Sequence, residues 1–220
     1  MDLELVSFKL CPYAQRVVIT LLHRHADFRM TFVDLDDPPA WFVDISPFGK
    51  VPLLKVDGTV LFESAVINEF IDEVAAGPPM KPADPLARAV NRAWVEFASA
   101  CLVDHSDLVA APEEKAYKRA LEGLGEKLDQ VEEVLGEGPY FNGAPFSLVD
   151  SAFAPLFMRL EILRPLVAVY EPRDLPKVAR WSAALLALPA VRESVVSEFR
   201  EIYIEDVRKR RGVLAATFPT

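Results

Sequence analysis

The sequence of 220 residues predicts an α+β protein in two parts: a small N-terminal half that mixes strands with helices, then a larger half that is all helix. Three observations carry this expectation. Short apolar runs with strand and helix periods alternate through residues 1–75. From Ala75 to Pro85 four prolines fall in eleven residues, where neither a helix nor a sheet ladder can form. From Leu86 onward Ala, Leu, Glu, Arg and Lys abound, the residues that lose least on entering a helix. The expected organisation is residues 1–75, a linker over 76–85, and an all-helical part over 86–220.

The elements follow in order. Leu3-Glu4-Leu5-Val6-Ser7-Phe8 alternates with period two, as a half-buried strand does, and breaks at Cys11-Pro12. The apolar run Val17 to His25 then has helical length. Met30-Thr31-Phe32-Val33 is a second strand. Leu53 to Phe62 folds back on itself through Asp57-Gly58, a dipeptide that supplies the positive φ values of a tight hairpin. Ser64, placed as an N-cap, heads a helical pattern of Ala65, Val66, Phe70, Ile71 and Val74. Beyond the linker, Arg88 to Val109 and Pro112 to Leu135 read as long helices. Ser147-Leu148-Val149-Asp150 approximates a capping box, with the apolar run Ala152 to Leu156 directly after it. The accompanying hydrophobic staple is weak, because its partner would be Ser151.

Composition narrows the function. With 51% hydrophobic and 26% charged residues, the chain has the makeup of an ordinary packed protein. Against 33 acidic residues stand 24 basic ones, and a net charge of −9 repels nucleic acid and anionic membrane surfaces. Two cysteines, Cys11 and Cys101, make no disulfide framework, so reduced thiols in a cytoplasm are expected. The acidic N-terminus does not read as a secretory signal, and no apolar stretch reaches the ~20 residues needed to span a bilayer. His23-x-His25 lacks further ligands at metal spacing, so no metal is expected. The basic run Arg208 to Arg211 reads as a solvated helix end.

Chemistry concentrates in Cys11-Pro12-Tyr13-Ala14-Gln15-Arg16, which places one thiol in the turn between the first strand and the first helix. Unpaired N–H groups and the positive end of the helix dipole there favour a thiolate, so a lowered pKa is expected. Ala14 stands where a dithiol oxidoreductase has its second cysteine; an external thiol must therefore resolve any mixed disulfide. Farther on, Ser46-Pro47-Phe48-Gly49-Lys50-Val51-Pro52-Leu53-Leu54 places Pro52 at a strand entrance, and Glu63-Ser64 heads a helix. In the second half, Trp94, Phe97, Cys101 and His105 share one helix face, a candidate lining for an acceptor pocket that reads equally well as core.

This order of thiol-bearing helix start, proline-led strand, hairpin and Glu63-Ser64 resembles the glutathione transferase superfamily. Asp84-Pro85 with Arg88, Gly138-Pro139-Tyr140-Phe141 with Gly143, the Ser147 to Asp150 cap, and Pro176 with Trp181 and Pro189 extend the resemblance over essentially the whole chain. Cys-Pro-Tyr-Ala-Gln-Arg resembles the cysteine-type branch, omega-like and lambda-like. The resemblance implies a thioredoxin-like domain with a mixed four-stranded sheet and a connecting helix around Trp41, and a homodimer. It further implies that Pro52 is cis, that Val51 holds the cysteinyl backbone of glutathione, and that Glu63 and Ser64 hold its γ-glutamyl group. Tyr13 and Lys50 join the expected binding set. Near Trp41-Phe42 no basic residue stands where omega-like relatives carry a lysine, so Lys50 or a residue from elsewhere takes the glycyl carboxylate. The expected function is thiol transfer or reduction, with glutathione as co-substrate and a small disulfide, electrophile or glutathionyl conjugate as partner. Glutathione conjugation or a lyase step, and a non-catalytic interaction module, are the competing expectations.

Overall fold

The computed structural model describes residues 1–218. Strands β1 (Leu3–Ser7), β2 (Arg29–Phe32), β3 (Leu53–Val56) and β4 (Thr59–Leu61) form one sheet in the order β2-β1-β3-β4. Only β1 and β2 run parallel; the other two pairings are antiparallel, so the sheet is mixed. Asp57 and Gly58 turn the hairpin with φ of 47° and 91°, the positive values that this dipeptide tolerates.

Helix α1 (Pro12–His23) and α3 (Ser64–Val74) cover one face of the sheet, where Leu5, Val17, Leu21, Leu54, Ile67 and Ile71 are fully buried. The short α2 (Ala40–Ile45) covers the other and contributes Phe42 to Val6, Val33 and Leu53. Both faces are therefore closed. This is why β1 departs from the half-buried pattern that its alternation suggests: as a central strand it buries Val6 and Ser7 completely.

Residues 75–84 contain no helix or strand, whereas Pro85, the last residue of the proline-rich stretch, opens α4 because the first helical position needs no amide donor; the stretch is nevertheless pinned. Arg24 donates to the carbonyl oxygens of Asp72 at 3.1 Å and Ala75 at 2.5 Å, and to that of Pro78. Asp72 accepts from the Met80 amide at 2.7 Å and pairs with Arg24 at 3.4 Å. The second half comprises α4 (Pro85–Ala110), α5 (Glu114–Val134), α6 (Leu148–Leu163), α7 (Pro176–Ala187), α8 (Pro189–Arg192) and α9 (Phe199–Lys209), closed by a 3-10 turn over Leu214–Thr217. No described helix is long and apolar enough to cross a membrane.

Helix α6 is the axis of this half and is buried along almost its whole length. Its start is held by Asp150, which accepts from Ser147 N at 2.8 Å and Ser147 Oγ at 2.6 Å on one oxygen. The other oxygen accepts from Phe141 N at 2.8 Å and Trp181 Nε1 at 2.6 Å. The capping box is thus also a clamp on two distant segments. The loop it holds needs Gly138, where any Cβ would collide with the Gly143 backbone. Helix α1 lies between the sheet and α6, and Ile19 on its outer side joins the helical core with Phe153 and Phe157. Residues Ala14 to Leu21 are consequently all buried.

Candidate active site

A cleft of about 700 Å³ runs between the two halves, lined from the first by Cys11, Tyr13, Lys50, Val51, Pro52, Glu63 and Ser64. The structure thus brings together every residue that the first half was expected to contribute. Cys11 is the N-cap of α1, with φ −68° and ψ 115°, and its Sγ accepts from the Ala14 amide at 3.4 Å. Pro12 at the first helical position leaves no stranded donor there.

The lowered pKa expected from the helix start is reversed. Cys11 is 5% exposed, and burial pushes its thiol up despite amides of Ala14 and Tyr13, the Ser7 hydroxyl and the charge of Arg159 pulling the other way. The physical reason is that α1 is enclosed by α6, so the thiolate loses more hydration than the helix terminus returns. Tyr13 is half-buried under the Arg16 guanidinium, 5.2 Å from its ring centre. The Val51-Pro52 peptide is cis and leads into β3. Lys50 is exposed at the cleft edge and makes no ion pair among the described residues; Ser46 Oγ accepts from its amide at 2.9 Å.

At the head of α3 the cap is displaced by one residue from the expected position. Glu63, not Ser64, is the N-cap, with φ 66° and ψ 105°. A non-glycine residue in that region is strained, and here the strained residue faces the cleft. The Ser64 hydroxyl is engaged elsewhere, where its Oγ accepts from Arg16 Nε at 2.9 Å and Nη2 at 2.5 Å. Arg16 also donates to Ser99 Oγ on α4 at 3.1 Å and so ties the two halves together.

The face proposed for the acceptor pocket is mostly not in the cleft. Trp94 and Phe97 stack edge to face at 4.9 Å, Trp94 meets Phe141 at 5.5 Å, and both pack against the helical core. Cys101 is wholly buried, and burial pushes its thiol to about 12. His105 alone of the four lines the cleft; its Nε2 is 2.8 Å from Tyr203 Oη, and burial draws its pKa down to about 3. The cleft-facing side of α4 instead carries Glu96, Ser99, Val103 and Ser106. The aromatic stripe was drawn into the core because it buries more apolar area there, which leaves the polar stripe for the cleft.

Sequence reasoning also missed Arg16, Arg159, Tyr203, Asp206 and Arg210 as cleft residues. Arg210, from the basic run read as a solvated end, pairs with Asp206 at 2.8 Å and lines the cleft. Arg159 had one available signal: it is the single basic residue in the otherwise buried, apolar run of α6.

Residues 10–74 match a family model described as the N-terminal domain of glutathione S-transferase, and residues 90–189 match its C-terminal domain. The chain is 27% identical over 212 residues to glutathione S-transferase omega-1 of Sus scrofa, covering 93% of this chain and 87% of the relative. It is 30% identical over 181 residues to glutathione S-transferase DHAR2 of Arabidopsis thaliana, covering 80% of each. Among solved structures, glutathione transferase Omega 3C from Trametes versicolor superposes with a TM-score of 0.79 at 30% identity, over 88% of this chain and 89% of that one. A cysteine-headed first helix, a cis-proline strand entrance and the Glu63-Ser64 corner on one cleft agree with these matches: the chain belongs to the glutathione transferase superfamily, in its omega-like branch.

Proposed function

We propose that the protein is a glutathione-dependent thiol transferase that works through Cys11. The observation that carries the reading is the opening of Cys11, the cis-Val51-Pro52 peptide and Glu63-Ser64 onto one cleft. In this reading the first half, residues 1–75, binds glutathione and the part beyond the 76–85 linker supplies the acceptor wall. Backbone groups of Val51 receive the cysteinyl unit, Glu63 accepts from the γ-glutamyl ammonium, and Lys50 and Tyr13 border the remainder. Ser64 fits the γ-glutamyl carboxylate for a specific reason. Two N–H groups of Arg16 occupy the lone pairs of its Oγ, so the hydroxyl hydrogen is left to donate.

Chemically, the Cys11 thiolate attacks the glutathionyl sulfur of a mixed disulfide GS–SR; an S–S bond to Cys11 forms as the bond to RS⁻ breaks. A second glutathione thiolate then attacks the Cys11 adduct, releasing oxidised glutathione and regenerating the thiolate. No resolving cysteine is at hand, since position 14 is Ala and Cys101 lies in the core. We place the protein in a reducing cytoplasm, as a homodimer.

The test is intact mass after exposure to oxidised glutathione, with Cys11 and Cys101 mapped separately. One adduct on Cys11, reversed by reduced glutathione and absent from Cys11→Ser, is expected. Glutathione binding without an adduct on Cys11 overturns the thiol-transfer cycle. The raised proton affinity of Cys11 favours one competing reading, conjugation, in which a neutral thiol donates to the sulfur of glutathione. In that case Cys11→Ser retains or gains conjugating activity.

A further inference from the structure

We propose that Arg159 is a positioning residue for Cys11: it fastens the turn that carries the thiol and supplies the counter-charge for the thiolate. Arg159 is 2% exposed and, among the described residues, makes no ion pair with a carboxylate. Its donors go instead to neutral oxygens on either side of Cys11: Leu10 O at 2.8 Å just before it, and Gln15 Oε1 at 2.6 Å one turn after it. A third bond, to Pro155 O at 2.7 Å, ties it to its own helix. The rings of Phe199 and Tyr203 lie 5.2 Å and 5.8 Å from the guanidinium.

A buried cation without an anion is costly, and a buried thiolate without a cation is costly for the same reason. Forming the Cys11 thiolate relieves both. The attraction between the two groups lowers the thiol pKa and raises that of the guanidinium. Burial leaves Arg159 with a pKa of about 10, so it is charged at neutral pH.

The charge of Arg159 is the one that draws the Cys11 thiol down. On the helix of Cys11 itself, Arg16 also feels Cys11, but it is held by Ser64 and shared with Tyr13, Glu96 and Glu63, while burial keeps Tyr13 protonated. On α9, Arg210 is paired with Asp206, and Tyr203 is held neutral by burial. On α4, His105 is likewise neutral. The charge is needed twice in each cycle, since Cys11 is first nucleophile and then leaving group. The inference therefore deepens the thiol-transfer reading and rests on it for its catalytic meaning, while the charge pairing can be tested with no glutathione present.

The experiment compares Arg159→Gln, which keeps a donor for Leu10 O but no charge, with Arg159→Lys, which keeps the charge. The readout is the pH midpoint for alkylation of Cys11 by iodoacetamide, resolved by peptide mass. Cys101, wholly buried, reports folding in the same digest by staying unlabelled. In Arg159→Gln the midpoint should rise by about one pH unit or more, roughly tenfold less thiolate at neutral pH, while Arg159→Lys stays near the parent value. Equal midpoints in the two variants overturn the proposal and leave Arg159 as a structural tie. If Arg159→Gln exposes Cys101, the apolar Arg159→Met takes its place in the same comparison. A parent protein that takes no glutathionyl adduct on Cys11 overturns the thiol-transfer reading instead, and the midpoint comparison still decides the charge pairing.

Discussion

Replacing Asp150 with Ala removes the acceptor for four hydrogen bonds, from Ser147 N, Ser147 Oγ, Phe141 N and Trp181 Nε1. Asp150 is wholly buried, so water cannot take its place without opening the start of α6. Each stranded buried donor costs about 1–3 kcal/mol. Bonds that share one carboxylate are not additive, and Ser147 Oγ can turn to another partner, so the expected total is about 4 kcal/mol. For a chain of this size that corresponds to a melting temperature roughly 10 °C lower. Asp150→Asn retains one carbonyl oxygen for Phe141 and Trp181 but turns an amide toward the Ser147 N–H, and should lose about half as much. Denaturant titration and thermal melts of the parent and both variants check this. A loss below about 1 kcal/mol in Asp150→Ala would refute the view that this carboxylate clamps the 141, 147 and 181 segments together.

Two further outcomes are expected. Glu63→Gly relieves a backbone held at φ 66° and should raise the denaturant midpoint by about 1 kcal/mol of stability, while glutathione affinity falls roughly tenfold with loss of the charged acceptor; an unchanged or lower midpoint contradicts the strain. His105 titrates at about 3 in the folded chain against 6.5 when exposed, so below pH 6.5 the unfolded chain binds a proton that the folded one refuses. Stability present above that pH is then lost as pH falls toward 3, by up to about 1.4 kcal/mol per pH unit. His105→Gln can still bond Tyr203 and should flatten that slope in urea midpoints taken between about pH 7 and pH 4.5; an equal slope in both proteins removes His105 from the account.

Much of the first half was legible because its signals are local. Asp57-Gly58 turns whatever the surroundings, Pro12 and Pro52 stand where no amide donor is needed, and the periods of Leu3 to Phe8 and Val66 to Val74 name their elements directly. The capping box at Ser147 was legible for the same reason, although Trp181 as a partner of Asp150 was not. One-residue shifts, such as the cap moving from Ser64 to Glu63, arise where a distant side chain, here Arg16, claims the hydroxyl.

The sequence by itself determined the strands and the two long helices of the first half, the two long helices after the linker and the capped start of α6, and that a lone thiol heads the first helix beside a proline-led strand and an acidic corner. Only the tertiary structure decided what surrounds that thiol. Arg159 and Tyr203 reach the cleft from 148 and 192 positions beyond Cys11, and no local pattern records that proximity. Packing also chose which stripe of α4 faces the cleft, sending Trp94, Phe97 and Cys101 to the core because apolar area is worth most there. The protonation of Cys11 has the same origin. A helix start favours the thiolate, but enclosure of α1 between the sheet and α6 strips its water, and a charge that draws the thiol back down belongs to an arginine on another helix, Arg159.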